Sequence, residues 1–182
     1  MRRMLAASVV AGMFGMLTWT TVAGAAPPSG PEKVWVTPSA AGTTAKLPGK
    51  VMFTGSFADY GKVVTVNASG KPAKNGGYVL LTLKKGSILV NVSGINKAFS
   101  SAQPQTNNTT SCSADVQFTA PVTVVKGTKT YVGITGTFTM TAKAAFIGSK
   151  TKSGACTEKT TSPAVASYES FTGMGTVSFG SS

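Results

Sequence analysis

The 182-residue chain contains no histidine, and its only two arginines are Arg2 and Arg3. Without an imidazole there is no Ser-His-Asp or Cys-His machinery and no side chain with an ordinary pKa near neutrality. The commonest metal ligand is missing as well. Two cysteines and five scattered carboxylates offer no metal-ligand spacing in its place. The sequence therefore predicts no metal and no cofactor, and it disfavours an enzyme.

Long apolar runs are also missing. The run Met4–Leu17 has about 14 apolar or small residues, whereas a membrane-spanning helix needs roughly 20. It follows two arginines and precedes the small residues 23–26, which is typical of a cleaved signal peptide over 1–26; the alternative is an N-terminal anchor helix. We predict a protein without a transmembrane anchor after cleavage, secreted or associated with the cell envelope.

Acidic residues are scarce after the signal segment. Five carboxylates face 15 lysines there, a net charge of +10. Lysines at predicted turns would form a positive rim if the turns share one end of the fold, and such a rim would attract an anionic envelope polymer or lipid. The alternative is dispersed lysines that keep the surface soluble and protect edge strands. Nucleic acid is disfavoured because arginine forks and aromatic stacking platforms are missing. The rim residues are Lys84, Lys85, Lys126, Lys129, Lys150 and Lys152.

Cysteine is limited to Cys112 and Cys156, both in the exported part of the chain. In an oxidising compartment such a pair favours one disulfide. The alternative is a free reactive thiol, which is disfavoured because no histidine or arginine is present to stabilise a thiolate.

What is abundant is β-forming sequence. Residues 27–49 are rich in proline and small residues and read as an extended leader, in which Val34–Val36 could dock as a short strand. From residue 50 to 182, segments rich in Val, Thr, Phe and Tyr alternate with turn residues. This predicts strands at 50–57, 61–66, 77–83, 86–92, 115–125, 131–147 and 173–179.

The pattern predicts one all-β domain, a single antiparallel β-barrel, with a β-sandwich as the alternative. Lys84-Lys85-Gly86 reads as the turn of a hairpin. One short helix is predicted over 93–102, where Ile95, Ala98 and Phe99 fall at helical spacing.

The stretch KGTKTYVGITGTFTMTA, Lys126 to Ala142, is rich in glycine. It is not a Walker phosphate loop, which needs Gly-Lys-Ser/Thr opening a helix. It reads as a strand whose glycines sit at bulges or where backbones pass closely. Alternation predicts one face with Tyr131, Gly133, Thr135 and Thr137, and an apolar face with Val132, Ile134, Gly136 and Phe138.

The same stretch carries a family resemblance. It is similar to the glycine strand of allene oxide cyclase-like and dirigent-like barrels, through Gly127, Thr128, Tyr131, Gly133, Gly136 and Thr137. The chain resembles more closely a group of secreted actinobacterial proteins of unknown function. The shared features are Phe53-Thr54-Gly55, Asp59-Tyr60-Gly61, Cys112 and Gly154-Ala155-Cys156.

The resemblance to the enzymes implies chemistry at a barrel mouth, with Asp59 and Tyr60 as the catalytic residues. The arginine that such enzymes also use has no counterpart after Arg3. Read from the residues alone, Asp59 makes a turn and Tyr60 is a core aromatic.

Three functions follow as hypotheses. The first is a secreted, non-enzymatic barrel that binds an apolar small molecule in its interior or an anionic envelope component at the lysine rim. The second is a cyclase-like or dirigent-like enzyme. The third is a structural secreted protein with no ligand.

Overall fold

The computed structural model describes residues 27–38, 49–73, 76–102, 106–157 and 164–180. The predicted signal peptide, 1–26, lies outside the described residues, and so does the part of the predicted leader from 39 to 48.

Within these ranges the chain forms nine strands, one α-helix and one 3-10 turn. The strands are β1 Gly30–Thr37, β2 Gly49–Gly55, β3 Asp59–Val66, β4 Tyr78–Leu83, β5 Ser87–Asn91, β6 Thr106–Asn108, β7 Ser113–Gly127, β8 Ile134–Ile147 and β9 Ala166–Phe179. The helix α1 is Ser93–Ser101, and the 3-10 turn is Lys129–Tyr131.

Eight of the strands close into an antiparallel barrel. Each pairs with the next in the order β1, β2, β3, β4, β5, β7, β8, β9, and β9 pairs back onto β1. The β5–β7 pairing, between Ile88–Asn91 and Thr123–Gly127, distinguishes this ring from the alternative sandwich. The short β6 pairs with the start of β7, beyond the closed ring. The predicted barrel is therefore confirmed.

The barrel begins earlier in the chain than the predicted boundary at residue 50. Inside the predicted leader, β1 pairs with β2 on one side and β9 on the other. Docking of Val34–Val36 as a strand is thus confirmed. Val34 is buried and Val36 half-buried, whereas Trp35 points outward and is 38 % exposed. Docking therefore depends on the alternating valines and the backbone ladder, not on burial of the indole ring.

The glycine strand is confirmed in part. Ile134 and Phe138 are buried on the inner face, as predicted. Gly136 allows a close approach, since a Cβ there would lie 2.5 Å from the carbonyl oxygen of Thr176. The predicted face of Tyr131 is wrong: it ends the 3-10 turn and is fully buried, while Val132 is 54 % exposed. The 3-10 turn and the left-handed Gly133 (φ 76°) interrupt the alternation before β8 begins.

The long strands β7, β8 and β9 extend past the shorter β4 and β5 at one end of the barrel. The predicted disulfide is confirmed there: Cys112 precedes β7, and Cys156 lies in the connection after β8.

The predicted helix is confirmed to within one residue. It packs on β7, with the rings of Phe99 and Phe118 5.8 Å apart. Among the described helices, none has the length and apolar character needed to cross a membrane.

Candidate functional site

The barrel interior contains a cavity of about 920 Å³. Its wall is built from alternate, inward-facing residues of the strands, which is why nearly all of them are apolar. Aliphatic side chains dominate, and they are supplemented by a few aromatic rings. Representative wall residues are Val34, Phe53, Val90, Val122, Ile134 and Val177.

Valine is the commonest residue of the cavity wall, and its short side chain leaves room in the interior. An eight-stranded barrel has just enough room for its own side chains or for one small ligand. Gly173 and Gly175 lie on the inner face of β9, but other side chains pack directly over them. A Cβ at Gly173 would lie 2.1 Å from the Met140 sulfur, and one at Gly175 would lie 2.8 Å from the Phe138 ring.

The cavity is elongated along the strands. On β9 alone its lining runs from Val177 to Glu169, which is about 26 Å of strand at roughly 3.3 Å per residue. At one end it reaches the exposed residues Pro72 and Asn96. We call this the mouth end, and we call the opposite end, where the β4–β5 and β7–β8 connections meet, the closed end.

Aromatic rings pack across the closed end. The ring centroid of Phe57 lies 5.3 Å from that of Tyr131, 5.2 Å from that of Phe53 and 6.3 Å from that of Phe179. Phe53 and Phe57 line the cavity, and Tyr131 lies outside the lining with no exposed surface. These packed rings form the floor of the cavity.

Asp59 lies behind this floor and is almost completely buried. Its Oδ2 accepts hydrogen bonds from the Tyr131 hydroxyl at 2.5 Å and the Lys85 N–H at 3.0 Å. Its Oδ1 accepts from the N–H groups of Tyr60 at 2.7 Å and Lys84 at 3.2 Å. Burial alone would raise the pKa of Asp59, but these four donors outweigh it and lower the pKa below the ordinary value. The carboxylate joins three connections at the closed end.

Tyr131 is the counterpart of this carboxylate. Burial and the hydrogen bond to charged Asp59 raise the pKa of its phenol far above the ordinary value. The Tyr131 hydroxyl therefore stays protonated near neutral pH and donates to the Asp59 carboxylate, which stays charged. This hydrogen bond has a structural role.

Glu32, on β1, is the second buried carboxylate of the closed end, at 2 % exposed. Its Oε1 accepts the Phe57 N–H at 2.5 Å, whereas Oε2 has no hydrogen-bond partner among the described residues. Burial raises its pKa above the ordinary value, although the Phe57 hydrogen bond acts in the opposite sense.

The predicted catalytic pair is not assembled at the mouth. Asp59 sits at the opposite, closed end, and its oxygens are occupied by the four donors. Tyr60 points out of the barrel, is 59 % exposed and lies under the Lys84 ammonium at 5.3 Å. Neither residue is among the cavity-lining residues. Adjacent positions of a strand face opposite sides, so Asp59 and Tyr60 could not share the interior.

The predicted lysine rim is divided between the two ends of the molecule. Four of its lysines lie around the closed end: Lys84 and Lys85 on the β4–β5 connection, Lys126 near the end of β7 and Lys129 in the 3-10 turn. Lys150 and Lys152 follow β8 at the opposite end, beside the disulfide. The six lysines therefore do not form one rim, because β8 runs the full length of the barrel between the two groups.

The mouth end carries the polar part of the lining, which no sequence pattern indicates. Glu169 on β9 lines the cavity together with Asn96 of α1 and Thr65 of β3. Burial raises the pKa of Glu169 above its ordinary value. The predicted strand starts at residue 173, which places Glu169 outside it. A longer strand would have placed it on the face of Phe171 and Val177 by alternation.

Comparison with protein-family models, with curated proteins and with solved structures finds no match to this chain.

Proposed function

We propose that this protein is an exported, non-enzymatic carrier or sensor that binds an apolar small molecule inside the barrel. The observation that supports this most directly is the cavity of about 920 Å³ with an almost entirely apolar wall. Its volume lies within the roughly 300–1,000 Å³ of sites for drug-sized ligands. An apolar ligand would remove both its own surface and that of the wall from water.

Binding is favoured over catalysis by Asp59 and Tyr60 because neither residue lines the cavity. The strongly hydrogen-bonded Asp59–Tyr131 pair lies behind the aromatic floor and outside the lining. General acid–base catalysis needs a titrating group within hydrogen-bond reach of the substrate. Asp59 does not meet that condition for a molecule in the cavity.

A fluorescence titration with N-phenyl-1-naphthylamine, a neutral apolar dye, tests the proposal. We expect saturable enhancement with one dye per chain. In a Val122→Trp variant the indole would project into the cavity and should reduce the affinity at least about tenfold, the effect of roughly 1.4 kcal/mol.

The matched control is Thr123→Trp, which adds the same side chain at the next position on β7, where Thr123 is exposed on the outer face. It should bind the dye like the wild-type protein. Absence of saturable binding to the wild-type protein, or equal loss in both variants, would overturn interior binding.

The closed-end lysines support a second candidate, binding of an anionic envelope polymer or lipid. Four of them gather where the neighbouring carboxylate, Asp59, is buried, so that its charge is not presented at the surface. Sedimentation with vesicles containing phosphatidylglycerol tests this candidate. Replacing all four lysines by glutamine should abolish salt-sensitive binding, while Lys150→Gln with Lys152→Gln should preserve most of it.

A further inference from the structure

We propose that the ligand has a hydrogen-bond-donating head, a hydroxyl or an ammonium group, on its apolar body, and that Glu169 receives this head at the mouth end. This inference rests on the proposed interior binding. It defines the chemical class of the ligand and the direction in which it enters.

Glu169 is the single charged residue among the described residues that line the cavity. It lies on the inner face of β9, two residues from Phe171, and it is half-buried. Within the described part of the chain its carboxylate has no hydrogen bond or ion pair. A half-buried carboxylate facing an apolar cavity without a partner is stabilised by any donor that a ligand supplies.

The neighbours of Glu169 do not neutralise it. Its register partner on β8 is Ala144, which pairs in turn with Val116 of β7. Lys143, adjacent to Ala144, is exposed on the outer face. No cationic side chain therefore lines the cavity among the described residues. An anionic head would meet a carboxylate that no cation of the described lining screens.

The rest of the cavity gives the ligand its orientation. Asn96 and Thr65 lie at the same end as Glu169, and the Asn96 Nδ2 donates to the Gly76 carbonyl at 3.4 Å. The floor at the closed end is aromatic. A polar head at the floor would lose its hydration without gaining partners, whereas at the mouth it finds acceptors. The apolar body therefore enters first, and the head stays at the mouth.

The predicted preference for neutral or cationic head groups is the opposite of what the net positive charge of the protein favours. A net charge of +10 after the signal segment would attract anionic amphiphiles from a distance. A local preference for neutral or cationic heads is therefore a property of the mouth and not of the bulk charge.

The test is displacement of bound N-phenyl-1-naphthylamine by dodecanol, dodecylammonium and dodecanoate at pH 7, each below its micelle concentration. These three probes share one chain and differ in the head. Dodecanol and dodecylammonium should displace the dye at concentrations at least about tenfold lower than dodecanoate, the effect of one hydrogen bond to a charged group. Their relative order separates the hydroxyl source from the ammonium source.

The Glu169→Gln variant should bring the three probes to within about threefold of one another, since the repelling charge is gone while an acceptor remains. The control is Ser178→Lys, which changes the net charge by the same +1 at an exposed outer position of β9. It should keep the wild-type order. Equal displacement by all three probes in the wild-type protein overturns the inference. An unchanged order in Glu169→Gln, or the same change in both variants, overturns it as well.

Interior binding and the role of Glu169 are contradicted by different results. If the dye does not bind the wild-type protein, interior binding fails and the assignment of Glu169 fails with it. If the dye binds and dodecanoate displaces it as well as dodecanol does, only the assignment of the head group fails.

Discussion

Asp59 and Glu32 are two buried carboxylates at the same end of the barrel, with opposite surroundings. Asp59 accepts four hydrogen bonds, which lower its pKa against the effect of burial. Glu32 accepts one from Phe57, and burial raises its pKa. The number of donors around each carboxylate decides the direction of the shift.

These shifts predict opposite contributions to stability as the pH changes. The folded pKa of Asp59 is lowered, so its stabilising effect is present above the unfolded value of 3.8 and is lost as the pH falls through the folded pKa. The folded pKa of Glu32 is raised, so stability is lost as the pH rises from 4.5 through its folded pKa. Carboxyl ¹³C titration by NMR should place the Asp59 midpoint below its ordinary value and the Glu32 midpoint above. Midpoints shifted in the same direction would contradict these assignments.

The Tyr131–Asp59 hydrogen bond is the interaction that joins the β7–β8 connection to β3. Tyr131→Phe removes one donor from a buried charge, and we expect the free energy of unfolding to fall by about 1.5–3 kcal/mol. Urea denaturation at pH 7 measures this. The control is Tyr60→Phe, whose hydroxyl belongs to an exposed ring. Equal losses of unfolding free energy in the two variants would show that the buried hydrogen bond stabilises the fold no more than an exposed hydroxyl does.

The local sequence predicts that Asp59 is a turn residue or an acid–base residue, and neither role describes its contacts fully. Its partners lie 25, 26 and 72 positions away, in addition to the neighbouring Tyr60. No local pattern encodes such distances. Closure of the barrel brings these groups together.

At the scale of elements, runs rich in Val, Thr, Phe and Tyr between turn residues located most barrel strands. This pattern failed where part of a strand lacks such a run. The first part of β9, from Ala166 to Thr172, reads ASYESFT. Its inner face carries Glu169 and Phe171 in place of valines. The strand is fixed there by its ladder with β8, which spans Ala166 to Phe179. Pairing with a partner strand thus determines structure where the local pattern is weak.

The disulfide ties the start of β7 to the connection after β8 at the mouth end. It links Cys112 to Cys156, 44 positions apart, outside the ring of strand pairings that closes the barrel. The Cys112→Ser, Cys156→Ser variant should keep the barrel, and its free energy of unfolding should fall by up to about 4 kcal/mol, since the unfolded chain gains entropy.

Circular dichroism and urea denaturation measure the fold and the loss. A variant without native strand signal would show that the disulfide is needed for the barrel itself.

For the whole molecule, the sequence predicted closure but not whether the interior is filled. That depends on the difference between the barrel's internal volume and the summed volume of its inward side chains. The many valines of the wall make this difference large, but their inward orientation follows from register, which alternation alone does not fix. The mouth, likewise, depends on strands of unequal length.

Methyl NMR of the valine and isoleucine side chains, during titration with N-phenyl-1-naphthylamine, tests the proposed interior binding most directly. We expect saturable shifts at the interior methyl groups of Val90, Val122, Ile134 and Val177. The exposed Val125, Val132 and Val165 should stay in place. Shifts restricted to the exposed valines, or no saturable shift at any methyl group, would contradict a ligand site inside the barrel.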